Sequence, residues 1–155
     1  MSNHPAEKFY PVTWDELHRN GKALAWRLLE KGPWKGLVTI TRGGLVPAAI
    51  VARELDIRKI ETVAAVGYDF DDSNPNRSET IEIIKDVYDE VGDGEGWLVV
   101  DDLVDTGRTL EHLRPMFPKA HFATIYAKPQ GKGMVDTFIT EVSQDTWIYF
   151  PWDIE

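Results

Sequence analysis

Val99-Val100-Asp101-Asp102-Leu103-Val104-Asp105-Thr106-Gly107-Arg108-Thr109 is the run of residues that most strongly indicates the fold. The apolar residues 97–100 are typical of a strand that is buried on both faces of a sheet. Two carboxylates follow this strand, and a short turn with a third carboxylate leads into a predicted helix. Ligands of open α/β sheets bind outside the carboxyl ends of the strands, so the run predicts a binding site at this turn.

The chemistry of this turn favours a phosphorylated sugar. Backbone N–H groups and the positive end of the helix dipole suit a phosphate, and two threonine hydroxyls add donors. Adjacent carboxylates repel such an anion unless they meet hydroxyl groups or a metal ion, and a sugar diol with Mg²⁺ supplies both. The alternative is that Asp101, Asp102 and Asp105 only cap the helix and solvate its entrance.

Helix and strand signals alternate along the rest of the chain. Thr13 and Glu16 have the spacing of a capping box, and the apolar residues that follow recur at helical spacing. Further strands are predicted at 37–40, 61–68, 81–87 and 121–127, and further helices at 48–55 and 106–118. Residues 69–78 predict a polar loop, and residues 135–150 predict a strand-rich appendage over one sheet edge. This alternation favours an α/β domain with a parallel sheet.

Composition limits the functional classes. The 155 residues carry a formal net charge of −9, which disfavours nonspecific binding to nucleic acid or to an acidic membrane. Cysteine is absent from the sequence, so disulfides, thiolate catalysis and cysteine-ligated zinc are excluded. The sequence has neither a membrane-spanning apolar run nor a signal-peptide pattern at its start. We therefore expect a cytoplasmic protein with no nucleic-acid partner.

The run at 99–109 resembles the signature of type I phosphoribosyltransferases, which binds phosphoribosyl pyrophosphate (PRPP). In that signature a hydrophobic strand precedes two acidic residues and Asp-Thr-Gly-x-Thr. Further segments resemble the branch of the family that uses xanthine and guanine: residues 41–47, 52–55, 92–96, 118–122, 127–129, 144–148 and 151–153. The resemblance implies the type I phosphoribosyltransferase fold, with a mostly parallel central sheet flanked by helices. It also implies a single domain over residues 1–155 and a small C-terminal β hood, roughly residues 128–155, over the base site.

The same resemblance implies an enzyme of purine salvage. Such an enzyme transfers the 5-phosphoribosyl group of PRPP to N9 of guanine or xanthine, and less well of hypoxanthine, giving GMP, XMP or IMP and pyrophosphate. Mg²⁺ is the implied cofactor, and a homo-oligomer, either a tetramer or a dimer, is the implied assembly. The resemblance also allows peripheral association with the inner membrane.

The resemblance assigns the PRPP contacts on two segments. Arg42 and Gly43 match the pyrophosphate loop, whose Arg-Gly peptide can be cis in the family. Without the resemblance, these residues would be a surface turn. Asp101 and Asp102 match the acidic pair that binds the ribose hydroxyls directly and through Mg²⁺, and Asp102 is the expected metal ligand.

The 5′-phosphate is expected in the loop that follows the acidic pair. Asp105, Thr106, Gly107, Arg108 and Thr109 match this loop, although Arg108 stands where the branch usually has glycine. The arginine either strengthens phosphate binding or points to solvent. Asp105 also matches the catalytic residue beside N7 of the purine, where a carboxylate helps to shuttle the proton that the base loses.

Lys128, Trp147 and Ile148 match the base-binding residues of the family. Taken alone, a lysine is usually solvated and a tryptophan usually belongs to the core. In the family, the lysine donates to O6 and so selects oxo over amino purines, the tryptophan stacks on the base, and the next residue contacts the base through its carbonyl. Arg77, in the polar loop, is a further candidate contact to the nucleotide, and the length of the loop leaves its alignment open.

Two alternatives remain open. One is an enzyme of the same fold that uses mainly hypoxanthine and guanine. The other is a regulator that senses PRPP without turnover and contacts nucleic acid. The charge of −9 and the presence of both Asp105 and Lys128 argue against the regulator.

Overall fold

A computed structural model of the protein describes residues 8–68 and 80–153. The strands are β1 (Lys8–Pro11), β2 (Gly36–Thr41), β3 (Ile60–Tyr68), β4 (Thr80–Lys85), β5 (Trp97–Val104), β6 (His121–Ala127), β7 (Thr137–Glu141) and β8 (Thr146–Tyr149). The α-helices are α1 (Trp14–Leu29), α2 (Leu45–Leu55) and α3 (Arg108–Leu113). Short 3₁₀ helices lie at Asp89–Val91, Lys132–Met134 and Pro151–Asp153. Within the described ranges no helix is both long enough and apolar enough to cross a membrane.

The central sheet has the strand order β4-β3-β2-β5-β6-β7 and is parallel except for β4, which runs antiparallel to β3. Side chains of β5 alternate between two cores, as expected of a strand buried on both faces. Leu98 and Val100 pack in the core that contains buried residues of α1 and α2. Val99 packs on the other face, with Leu110 and Leu113 of α3. The predicted α/β fold with a mostly parallel sheet is confirmed.

The strand order reverses its direction between β2 and β5. β3 lies on the outer side of β2, and β6 lies on the far side of β5, so the connections leaving the two central strands diverge. Such a reversal leaves a crevice at the carboxyl ends of the strands, which is where open α/β sheets bind ligands. The loop after β2 brings Arg42 and Gly43 to this crevice, and the second half of β5 brings Asp101 and Asp102.

Two predicted boundaries around the run 99–109 are wrong. β5 does not end at the carboxylates but continues to Val104, because Leu103 and Val104 pair with Tyr126 and Ala127 of β6. α3 ends at Leu113 instead of near residue 118. Arg114 keeps helical dihedral angles, but Pro115 has no backbone N–H with which to continue the helical hydrogen bonds. In so short a helix, individual N–H groups contribute more than a helix dipole to the electrostatic potential at this turn.

The start of α1 agrees with the sequence. The Thr13 hydroxyl accepts a hydrogen bond from the Glu16 N–H at 3.1 Å, as the capping-box spacing predicts. The helix buries Leu17, Leu24 and Leu28 against the sheet.

The segment 128–155, expected to form a hood, divides between two sheets. β7 extends the central sheet beside β6, whereas β8 pairs in parallel with β1 in a separate two-stranded sheet. Tyr10 of β1 and Tyr126 of β6 both donate hydrogen bonds to the Glu16 carboxylate of α1, which ties β1, and with it β8, to the main body. The loop predicted at 69–78 lies outside the described residues.

Candidate active site

Asp101 and Asp102 lie between two cavities at the crevice. Cavity I has a volume of about 330 Å³ and is lined by Asp101 and residues 103–110. Cavity II has a volume of about 580 Å³ and is lined by Arg42, Gly43, Leu45, Val46, Asp102, Phe150, Trp152 and Asp153. Neighbouring residues of a strand point in opposite directions, which explains why the two carboxylates line different cavities. A ligand that crosses the acidic pair therefore reaches both cavities.

Burial and mutual repulsion disfavour the ionised form of the acidic pair. Burial raises the pKa of Asp101 well above its usual value, and the neighbouring charge of Asp102 raises it further. Burial also raises the pKa of Asp102 to about 6, and repulsion from Asp153 adds to this effect, while hydrogen bonds from Asp101 and the Leu103 backbone oppose it. The Asp101 carboxylate accepts a hydrogen bond from the Asp102 N–H at 2.8 Å. The folded chain alone thus lacks the positive charge that would favour ionisation of both carboxyl groups, and a bound cation or hydrogen-bond donors could supply it.

The loop after β2 packs directly against Asp102. A Cβ atom at Gly43 would lie 2.7 Å from each carboxylate oxygen of Asp102, so only glycine allows this close approach. A Cβ atom at Gly44 would lie 2.5 Å from the Val100 carbonyl oxygen. In this loop a cis peptide bond joins Thr41 and Arg42, so the expectation of a cis bond between Arg42 and Gly43 is wrong by one residue.

The predicted phosphate loop lines cavity I as a unit. Gly107 has a φ angle of 90°, a left-handed conformation that favours glycine. Thr106 and Arg108 are exposed, and Thr109 is partly buried. Gly131 packs against the backbone of this loop. The sequence analysis did not identify this residue. A Cβ atom at Gly131 would lie 2.7 Å from the Asp105 carbonyl oxygen, so a side chain there would displace the loop.

Asp105 is held by two side-chain donors. The Lys128 Nζ lies 3.3 Å from Asp105 Oδ2, and the Gln144 Nε2 donates to Asp105 Oδ1 at 2.7 Å. Lys128 is only 2% exposed, whereas the Asp105 side chain is 46% exposed. The structure therefore brings together the predicted catalytic aspartate and the predicted base-binding lysine. Gln144 lies in one of the segments that carry the family resemblance, but no local pattern places it against Asp105.

The two remaining base-binding candidates lie on β8. Trp147 and Ile148 stand opposite Phe9 and Tyr10 of β1 in the small sheet. Trp147 is partly buried, with its ring 6.3 Å from that of Tyr149, and Ile148 is buried in the main core. β8 begins two residues after Gln144, and the hydrogen bond from Gln144 to Asp105 connects the start of this strand to the Asp105 loop.

Arg77 was predicted at the site from the sequence, whereas Asp153 is found there only in the structure. Arg77, the candidate nucleotide contact, lies outside the described residues. Asp153 lines cavity II, where its carboxylate accepts a hydrogen bond from the Phe150 N–H at 3.0 Å. It belongs to the segment 151–153, which carries part of the family resemblance, but the sequence analysis assigned it no role.

Comparison with known proteins identifies the family. The family model described as the phosphoribosyl transferase domain matches residues 13–155. This chain belongs to the phosphoribosyltransferase family. The family predicted from the run at 99–109 is thereby confirmed.

Sequence and structural similarity to individual phosphoribosyltransferases supports this family membership. The chain is 59% identical over 148 residues to the xanthine-guanine phosphoribosyltransferase of Nitratidesulfovibrio vulgaris (strain DP4), covering 96% of this chain and 86% of that protein. It is also 59% identical over 149 residues to the enzyme of the same name from Desulfotalea psychrophila, covering 96% and 89%. The crystal structure of a purine phosphoribosyltransferase from Pyrococcus horikoshii Ot3 superposes with a TM-score of 0.74 at 26% identity, covering 96% and 95%.

Proposed function

We propose that this protein transfers the 5-phosphoribosyl group of PRPP to N9 of guanine or xanthine. The position of the acidic pair between cavities I and II carries the proposal. Cavity I, lined by backbone, threonine hydroxyls and Arg108, suits the 5′-phosphate. Cavity II, with Arg42 and the close backbone at Gly43, suits pyrophosphate. A ribose across Asp101 and Asp102 would join the two anionic ends.

The acidic pair also fits Mg²⁺. This ion is commonly bound through one or two carboxylates together with substrate phosphates and water. The raised pKa of both Asp101 and Asp102 supports this fit, because it reflects negative charge that the protein alone leaves uncompensated. Asp102 would hold the ion and Asp101 would accept hydrogen bonds from ribose hydroxyls. When bound, Mg²⁺ would supply positive charge beside the pyrophosphate.

The residues of cavity II would act on the leaving group. As the bond between C1 of the ribose and pyrophosphate breaks, negative charge grows on the departing oxygen. Arg42 and the amide groups of the loop after β2 would stabilise this charge from fixed positions, which is electrostatic rather than covalent catalysis. Thr106, Gly107, Arg108 and Thr109 would meanwhile hold the 5′-phosphate and so keep C1 in place.

The residues near Asp105 would bind and activate the base. Asp105 would lie beside N7 and help to remove the proton that the base loses when N9 attacks. Lys128 would donate to O6, since its buried ammonium group has three N–H donors and the contact with Asp105 Oδ2 at 3.3 Å takes only one of them. Trp147 would stack on the base, and the Ile148 carbonyl would accept from a donor near position 2. We keep Arg77 as a proposed nucleotide contact.

We also propose one domain over residues 1–155, a homo-oligomeric assembly (a dimer or a tetramer) and a cytoplasmic location. The central sheet supports the single domain, because its strands come from segments between Gly36 and Glu141. The lack of cysteine supports a reducing compartment. The assembly rests on the family resemblance.

Initial rates with guanine, xanthine, hypoxanthine and adenine, at saturating PRPP and Mg²⁺, test the proposal. Guanine and xanthine should lead, because hypoxanthine offers no polar group at position 2 to the Ile148 carbonyl. Adenine should be about 10³-fold poorer in kcat/KM, since its amine cannot accept from Lys128. Hypoxanthine outcompeting both other oxopurines would contradict the assignment of bases. Absence of nucleotide formation with all four bases would contradict phosphoribosyl transfer itself.

A further inference from the structure

Gln144 connects three loops at the candidate active site through one side chain. Its Nε2 donates to Asp105 Oδ1 at 2.7 Å and lies 3.5 Å from the Asp105 carbonyl oxygen. Its Oε1 accepts a hydrogen bond from the Gln130 N–H at 2.9 Å. A backbone N–H can only donate, so it requires the amide oxygen of Gln144 to face Gln130. The amide NH₂ group must then face Asp105.

Asp105 depends on such restraint because its side chain is 46% exposed in the loop between β5 and α3. An exposed aspartate has several accessible rotamers, and its carboxylate plane rotates easily. Here each carboxylate oxygen has its own donor, with Gln144 on Oδ1 and Lys128 on Oδ2. If Lys128 turns to the base, as the proposed function requires, Gln144 is the contact that continues to hold the carboxylate.

We infer that Gln144 is a positioning residue that fixes the Asp105 carboxylate in the orientation needed to take up the proton of the base. The inference rests on the proposed function. A misplacement of about 1 Å can cost about 10²-fold in rate, so loss of this contact should be seen in kcat. The residue must be a neutral donor, because a carboxylate in its place would repel Asp105.

Two substitutions separate positioning from loop support. Gln144→Glu keeps an acceptor for the Gln130 N–H but loses the donor to Asp105, and should lower kcat by about 10- to 100-fold. Gln144→Leu, which adds no charge, should lower kcat by about 10-fold. In both variants the KM for PRPP should stay within about 3-fold, because Gln144 itself lines neither cavity I nor cavity II.

Ser143→Ala is the matched control in the same turn. The Ser143 hydroxyl hydrogen-bonds to Asp145 at 2.5 Å and to Thr146 at 2.7 Å, so its loss loosens the turn while leaving the donor to Asp105 in place. Its kcat should remain close to that of the parent protein. A loss in Ser143→Ala equal to that in Gln144→Leu would mean that turn stability matters and would overturn the inference.

The decisive measurement repeats Gln144→Leu in an Asp105→Asn background. If Gln144 acts through the Asp105 carboxylate, the double variant should be no slower than Asp105→Asn alone, within about 2-fold. Losses that multiply, or an unchanged kcat in Gln144→Glu, would refute the positioning role while leaving the proposed function intact. A parent protein that forms no nucleotide with any base would refute the proposed function, and this inference with it. Should Gln144→Glu fail to fold, Gln144→Leu provides the same comparison.

Discussion

Replacing Asp102 with asparagine should make the protein more stable in the absence of divalent ions and PRPP. Asparagine matches the shape of aspartate, so the substitution removes a charge while keeping the contact with Gly43. Burial raises the pKa of Asp102 from 3.8 to about 6, and each pKa unit corresponds to about 1.4 kcal/mol. Because the acidic pair titrates jointly and retains partial access to water, we expect a gain of about 1–2 kcal/mol, or about 2–6 °C in Tm.

The gain should depend on pH. A carboxyl group with a raised folded-state pKa lowers the free energy of unfolding at any pH above its unfolded-state pKa. For Asp102 this cost grows between pH 3.8 and about 6 and is fully present above that range. As pH falls below 3.8, the group is protonated in both the folded and unfolded states and this cost disappears. In thermal denaturation with EDTA at neutral pH, the Tm of Asp102→Asn should therefore exceed that of the parent protein. The two Tm values should converge as the solution is acidified.

Asp93→Asn provides the control for this experiment. Asp93 is exposed, and its pKa is lowered, chiefly by a hydrogen bond from the Glu95 N–H, so its replacement should bring no gain. With Mg²⁺ and PRPP present, the order should reverse, since the parent protein binds the ligands more tightly than Asp102→Asn. Equal or lower stability of Asp102→Asn at neutral pH in EDTA would refute the reasoning, as would a difference that persists in acid.

Four further substitutions test the site and the core. Asp105→Asn should lower kcat by about 10²-fold with little change in PRPP affinity, and steady-state rates equal to the parent's would remove its role in proton transfer. Lys128→Ala should reduce turnover of guanine and xanthine far more than PRPP binding, which kinetics and calorimetry measure separately. Thr39→Val should be neutral or stabilising in thermal melts, because the buried Thr39 hydroxyl has no hydrogen-bond partner among the described residues. Thr124→Val, which loses a bond to the Tyr126 carbonyl at 2.8 Å, should instead cost about 1 kcal/mol; the opposite order would contradict this.

Local patterns explain why much of the fold could be predicted. The cap at Thr13 depends on a residue three positions later, and the apolar residues 97–100 identify a buried strand without reference to the rest of the chain. The run at 99–109 likewise carries its chemistry within eleven adjacent residues, which is why the family could be recognised from it. The end of β5 could not be predicted, because pairing with β6 extends the strand through Asp101 and Asp102.

The sequence by itself determined the α/β class and the family, since each depends on residues close together in the chain. Only the tertiary structure decided which side chains meet. Asp105 contacts Lys128 and Gln144, which are 23 and 39 residues away, and Gly43 packs on Asp102 across two neighbouring strands. These contacts follow from the pairing of β5 with β2 and with β6 and from the pairing of β8 with β1. Strand pairing joins backbone groups from distant segments, so the periodicity of any one segment cannot specify its partner.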